Sequence, residues 1–195
     1  EMVDRGFMPP SAHEFALLDM EQANSPRAAG FRQGEKGTRG VFFPGCQLTA
    51  TLPHQTEALV TFLDEKFEGT LGLLLGCCGA PAWWGGRRKM LEERMEDLRN
   101  TLQSLGNPPL ILACSSCNEV FRNFLPEIPR ISLWEELLRK GLPPRKPLEK
   151  PLALHDPCTT RETPEWQEGA RTILRQLGQP FEELLFSGET TRCCG

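Results

Sequence analysis

The sequence predicts an α/β fold: parallel β-strands alternate with helices, cysteines sit at the carboxyl ends of the strands, and the unit is internally duplicated with its second copy truncated. Three observations predict it. From residue 41 onward, short apolar runs alternate with stretches of helical periodicity. The turns after successive runs carry cysteine. The adjacent pair Cys77-Cys78-Gly79 returns 116 positions later as Cys193-Cys194-Gly195.

The elements follow in order. Residues 1–40 are expected to be an N-terminal arm or linker. Pro9-Pro10 and a polar, Gly-rich stretch from Gln22 to Gly40 flank one short helical segment, Ala12 to Met20. Val41-Phe42-Phe43 is a strand that stops at Pro44-Gly45. A helix from about Gln55 to Phe67 aligns Leu59, Leu63 and Phe67. Leu71 to Leu75 is the second strand. The helix from about Arg87 to Leu105 carries Leu91, Met95, Leu98, Leu102 and Leu105 as a stripe. Pro109 to Ala113 is the third strand, followed by a short helix, Asn118 to Phe124. Ile131 begins a fourth strand, leading into a helix with Leu133, Trp134, Leu137 and Leu138. Residues 142–151, rich in proline and charge, read as a linker. The pattern then restarts with strand Leu152 to His155, helix Pro164 to Leu177, and strand Glu183 to Phe186 running toward Cys193. The expected domains are therefore 1–40, 41–145 and an incomplete 146–195.

Composition narrows the function. A net charge of −4 gives no reason to expect a nucleic acid or an anionic membrane as partner. No apolar run approaches the ~20 residues of a bilayer span. The first residues are acidic and polar, unlike a secretory signal, and the start at Glu1 reads as a cut from a longer precursor. With 195 residues the chain can build a core without staples. Its eight cysteines therefore point to metal or redox chemistry in a reducing, cytoplasmic compartment; four disulfides are the alternative.

The first unit reads Cys46-x30-Cys77-Cys78-x35-Cys114-x2-Cys117. In a parallel sheet the carboxyl ends of the strands gather along one edge, so these five thiols converge. Adjacent cysteines close only a strained disulfide, so the pair addresses something else. Five ligands exceed one tetrahedral zinc and exceed the four thiolates of an ordinary cubane cluster. The second unit, Cys158-x34-Cys193-Cys194, repeats the first at shifts of 112 and 116, a difference expected to lie in the intervening loop. Its Cys-x2-Cys pair is expected about thirty-five residues past Cys194, by repetition of the first copy.

This pattern resembles the CCG or cysteine-rich domain of the heterodisulfide reductases, found both in the separate polypeptide that bears it and in a fused relative. The same domain occurs in iron–sulfur oxidoreductases such as the glycerol-3-phosphate dehydrogenase C subunit and lactate-utilisation proteins. The resemblance covers residues 41–195. It implies a non-cubane [4Fe–4S] cluster on Cys46, Cys77, Cys78, Cys114 and Cys117, and three ligands of a second, incomplete cluster in Cys158, Cys193 and Cys194. It also implies transfer of electrons to a disulfide or similar acceptor. The electron donor would be a ferredoxin-like or flavoprotein subunit or domain, in a complex that can be membrane-associated.

Other readings stay open at this stage. Zinc in a structural or partner-binding domain is the alternative cofactor, and Cys114-Ser115-Ser116-Cys117 could serve as a metal-free exchange pair. His155 is either a turn residue or a zinc ligand with Cys158, Cys193 and Cys194; His13 and His54 have no motif support. Trp83-Trp84 reads as packing before gating. Arg87-Arg88-Lys89 reads as a solvated face before a dock for an acidic electron donor.

Overall fold

The computed structural model describes residues 2–9 and 14–193. Two units divide at residue 131/132. In the first, a five-stranded sheet has the order β1 (Gly30–Arg32), β3 (Leu71–Leu75), β2 (Gly40–Phe43), β4 (Leu110–Leu112), β5 (Arg130–Ser132). β2 pairs in parallel with β3 on one side and β4 on the other. The chain thus leaves β2 in one direction to form β3 and returns across it to form β4. The carboxyl ends of all three strands meet at one edge, beside the point where the winding reverses.

β2 is central, and all four of its residues are buried, as a parallel strand covered on both faces requires. Phe42, Phe43, Leu71, Leu110 and Leu112 are wholly inaccessible. Phe43 meets Phe121 edge-to-face at 5.6 Å. The helices are α1 (Glu14–Ala23), α2 (Cys46–Thr51), α3 (Pro53–Lys66), α4 (Ala80–Trp84), α5 (Arg88–Ser104) and α6 (Ser115–Phe124). The expected stripe on α5 is the buried one, through Leu91, Met95, Leu98 and Leu102.

The stretch expected as a peripheral arm is woven into this unit. Leu17 and Met20 of α1 are buried, α1 packs on α4, and β1 pairs antiparallel with β3. An arm of low apolar content can still order itself when a sheet edge accepts its backbone hydrogen bonds.

The second unit holds α7 (Leu133–Lys140), β6 (Leu152–Leu154), α8 (Pro164–Gln176) and β7 (Phe181–Glu183). The last strand lies earlier than the expected Glu183 to Phe186, because it takes its register from β6: Leu152 pairs with Phe181 and Leu154 with Glu183. Gly169 of α8 sits against Trp134 of α7, where an added Cβ would lie 2.8 Å from the tryptophan Cβ. Residues 142–151 carry no helix or strand.

The duplication is visible in the backbone. β2 and β3 pair in parallel across helices, and so do β6 and β7. Gly40 faces Leu71, 31 positions on; Leu152 faces Phe181, 29 positions on. From those partners the vicinal cysteines begin 6 and 12 positions later. The offset between copies is therefore two changes rather than one: a crossover shorter by two, and six extra residues after β7 that include a 3-10 turn, Gly188–Thr190.

Candidate metal centre

Each cysteine of the first unit is placed where a strand gives way to a helix. Cys46 opens α2 behind Gly45, and Thr49 Oγ1 donates to the carbonyls of both Gly45 and Cys46, holding that turn. Cys77 and Cys78 follow β3, and the left-handed Gly79 turns the chain into α4. Cys114 caps α6, and Cys117 lies one turn inside it. Cys77, Cys78 and Cys117 are 1–2% exposed; Cys46 and Cys114 are half-buried. All five are free thiols.

Their sulfurs form one connected chain. Cys46 lies within interaction distance of Cys77, Cys77 of Cys78, and Cys117 of both Cys78 and Cys114. Cys78 and Cys114 are driven toward thiolate. The Cys117 and Cys77 thiols hold Cys78 well below the usual thiol range, and the Cys117 thiol with the Ser116 and Cys117 amides lowers Cys114 to about 6. Cys46 and Cys117 are driven the other way: Cys46 is raised by the neighbouring Cys77 and by burial, and Cys117 by the neighbouring Cys114 and Cys78. Cys77 is favoured as thiolate by Cys46, but Cys78 beside it and its burial push it up to about 12.

Adjacent, largely buried thiols disfavour one another's ionisation, and a cationic guest would relieve that repulsion. The donor set, soft thiols only, suits iron–sulfur chemistry.

The backbone around the sulfurs supplies positive dipoles. The Gly79 amide points to Cys77 and the Ala80 amide to Cys78. The Cys77 peptide is clamped from both sides: its N–H donates to Asn24 Oδ1 at 2.8 Å, and Arg94 Nε donates to its carbonyl at 2.8 Å. Sequence reasoning missed both clamps. Asn24 lay in the presumed arm, and Arg94 lies outside the apolar stripe expected on α5. Gly45 has φ 82°, and an added Cβ there would lie 3.2 Å from Cys117 Sγ and 3.4 Å from Cys114 Cβ. A side chain there would crowd Cys117 and Cys114 against the turn that carries Cys46.

Among the described residues, no three His, Cys, Asp or Glu side chains are arranged around a point that could hold a single metal ion. Thiolates of a multi-iron cluster bind different irons and need not share one centre. Cys46 also lines a cleft of about 450 Å³ between α1 and α2.

In the second unit, Cys158 opens a 3-10 turn and is half-buried, and Cys193 is exposed. Their loops are tied together by a polar network. Asp156 receives Arg171 at 2.9 and 2.7 Å and the Gly188 amide at 2.8 Å, and the Thr191 hydroxyl donates to the Asp156 carbonyl. Arg161 Nε donates to the Thr191 carbonyl at 2.8 Å. The Arg171 guanidinium holds the buried Asp156 carboxyl below its usual range. Cys194 lies outside the described residues, as does His13; His155 and His54 are exposed. Trp83 stacks edge-to-face on Phe124 at 5.3 Å, and Trp84 is half-exposed. Arg87, Arg88 and Lys89 pair with Asp4, Glu92 and Glu93.

Residues 41–122 match the model of the cysteine-rich domain, CCG. The chain carries a CCG cysteine-rich domain. It is 28% identical over 160 residues to an uncharacterized iron-sulfur protein of Methanocaldococcus jannaschii, an alignment covering 80% of this chain and 32% of the relative. It is 25% identical over 162 residues to an uncharacterized iron-sulfur protein of Methanococcus maripaludis, again covering 80% and 32%. The chain therefore spans about a third of the length of the curated relatives it matches. No solved structure matches it significantly. All five first-unit cysteines fall within the CCG match; Asn24 lies outside it and Arg94 inside.

Proposed function

We propose that the first unit binds one iron–sulfur cluster, of the non-cubane [4Fe–4S] kind, through Cys46, Cys77, Cys78, Cys114 and Cys117. The chain would be the cluster-bearing part of a heterodisulfide-reductase-like oxidoreductase. The observation that carries this reading is the single connected chain of five sulfurs at the sheet edge. The CCG match and the names of both relatives support an iron–sulfur-binding domain. A single zinc finds less support, since no three described side chains surround one point.

Bound there, the cluster would supply one-electron redox chemistry and iron that a sulfur can ligate. The protein's own part follows from the geometry. Burial of Cys77, Cys78 and Cys117 keeps water from three of the five sulfurs. The Gly79 and Ala80 amides and the Arg94 cation offset negative charge on that side. Cys46, half-buried on a cleft, leaves one approach. Cleaving a disulfide breaks one S–S bond, and each sulfur gains one electron and one proton. The two electrons would come from a ferredoxin-like or flavoprotein partner. Cys158, Cys193 and Cys194 would contribute ligands of a second cluster, on the repeat argument. No helix among the described residues is long and apolar enough to cross a membrane. A cytoplasmic site, with any membrane association made through a partner, is part of this proposal.

Anaerobic reconstitution tests the reading. Iron and acid-labile sulfide are expected, with a visible spectrum that vanishes in Cys78→Ser and persists in Cys193→Ser. A colourless, iron-free chain would overturn it.

A further inference from the structure

The vicinal cysteines lie on a turn bounded by two glycines in the positive-φ region: Gly76 at φ 147° before Cys77, and Gly79 at φ 97° after Cys78. Glycine has little backbone preference of its own, so such a turn takes its shape from what surrounds it. The N-terminal segment holds both of its flanks. α1 packs on α4, the helix that follows the turn. β1 pairs with β3, the strand that precedes it, with Gly30 opposite Leu75. Asn24 stands in the connection between α1 and β1, and its own N–H donates to the Met20 carbonyl at 3.0 Å.

Three contacts converge there on one peptide. The Cys77 N–H donates to Asn24 Oδ1, and Arg94 Nε donates to the Cys77 carbonyl, each at 2.8 Å. A Cβ added to Gly76 would lie 2.9 Å from Arg94 Nη2 and 3.0 Å from Asn24 Oδ1, so the two side chains close over Gly76 as well. With both of its polar groups engaged, the Cys77 peptide is held in one orientation. The amides that reach the Cys77 and Cys78 sulfurs are then those of Gly79 and Ala80.

We propose that Asn24 is a positioning residue for the metal centre. Through the Cys77 N–H it fixes the direction in which the Cys77-Cys78 turn presents its sulfurs, and it makes the segment from α1 to β1, outside the CCG match, part of the cluster site. The inference rests on the proposed function for its guest, an iron–sulfur cluster; the clamp itself is read without one. A buried N–H needs an acceptor in any protein, so a positioning role must show at the cluster and not in stability alone.

The first measurement uses the cluster-free, reduced chain. Asn24→Leu keeps the size of the side chain and removes the acceptor, whereas Asn24→Asp keeps both. Amide exchange at Cys77, with Phe42 of β2 as the reference in the same molecule, should quicken about three- to tenfold in Asn24→Leu and stay near the native rate in Asn24→Asp. Asn24 is half-buried; should leucine there prevent folding, which the Phe42 amide reports, Asn24→Ala takes its place. A native exchange rate at Cys77 in the variant without the acceptor overturns the inference.

The second measurement uses reconstituted protein. Asn24→Leu should lose iron to a chelator about tenfold faster than the native chain or more, with an altered electron paramagnetic resonance line shape, and Asn24→Asp should restore both. Leu63→Ala, a core loss on α3, which carries no cysteine, is the control; it should lower the melting temperature and leave the line shape alone. Native iron retention and line shape in Asn24→Leu, a change that Asn24→Asp fails to restore, or the same change in Leu63→Ala, overturns the inference. A native chain that takes up no iron defeats the proposed function, and amide exchange at Cys77 alone then decides the clamp.

Discussion

β2 with β3 and β6 with β7 are the same parallel pair built twice, yet the first is sealed on both faces while β6 and β7 stand largely exposed. The first copy is held by apolar burial: Val41, Phe42 and Phe43 are wholly inaccessible. The second adds a charge network to its smaller apolar core of Leu133, Leu137, Trp166 and Ile173. Arg171 bridges Asp156 behind β6 to Glu183 of β7, and Asp156 in turn fastens Gly188. The cysteine turns diverge as well. Gly45, with φ 82°, stands before Cys46, and Pro157, with φ −61°, stands before Cys158. A repeated sequence motif can therefore keep a backbone plan while changing the force that maintains it.

The largest effects that can break this comparison are in the two cores. Phe42→Ala should cost the first unit about 3–5 kcal/mol through lost burial and the cavity left behind. Asp156→Ala should cost the second about 3 kcal/mol, because Arg171 then keeps only the partly exposed Glu183. Hydrogen exchange resolves the two: Phe42→Ala should deprotect β2 and β4, and Asp156→Ala should deprotect α8. Unchanged protection of α8 in Asp156→Ala would show that the ion-pair network does not hold the second unit.

A smaller effect separates the two cysteine turns. Gly45→Ala places a side chain in a glycine-only backbone region and against Cys117 Sγ, at a cost of about 1–3 kcal/mol. It should also reduce iron uptake on reconstitution. Pro157→Ala, in a backbone conformation any residue adopts, should cost about 0.5–1 kcal/mol. Equal losses in denaturant titration would mean that the crowding at Gly45 is relieved by movement of α6.

The smallest effect concerns tuning. Arg94→Gln removes a cation whose Nε donates to the Cys77 carbonyl. The midpoint potential of the reconstituted protein should become more negative, by about 60 mV or less, since 59 mV is a tenfold change for one electron. Potentiometry that finds no shift would assign Arg94 a structural role alone.

Much of the frame was legible because period and burial coincide. The Leu91–Leu102 stripe marked α5, and the apolar runs at Val41, Leu71 and Leu110 marked the central strands. α2 and α4, with six and five residues, are too short to show a period. The displaced β7 shows that register, set by β6 across the sheet, outweighs a local apolar run. Asn24 and Arg94 left no local signal, since their role is to hold a peptide 53 and 17 residues away.

Five thiols with a partial second set, and the alternation that sends them to strand ends, were legible in the chain, because residue type and period are local properties. The tertiary structure alone decided that β2 stands between β3 and β4. That order joins five sulfurs into one chain, brings Asn24 and Arg94 onto the Cys77 peptide, and leaves Cys46 on the cleft. Strand order and long-range contact arise from how apolar faces find one another, and no stretch of neighbouring residues encodes them.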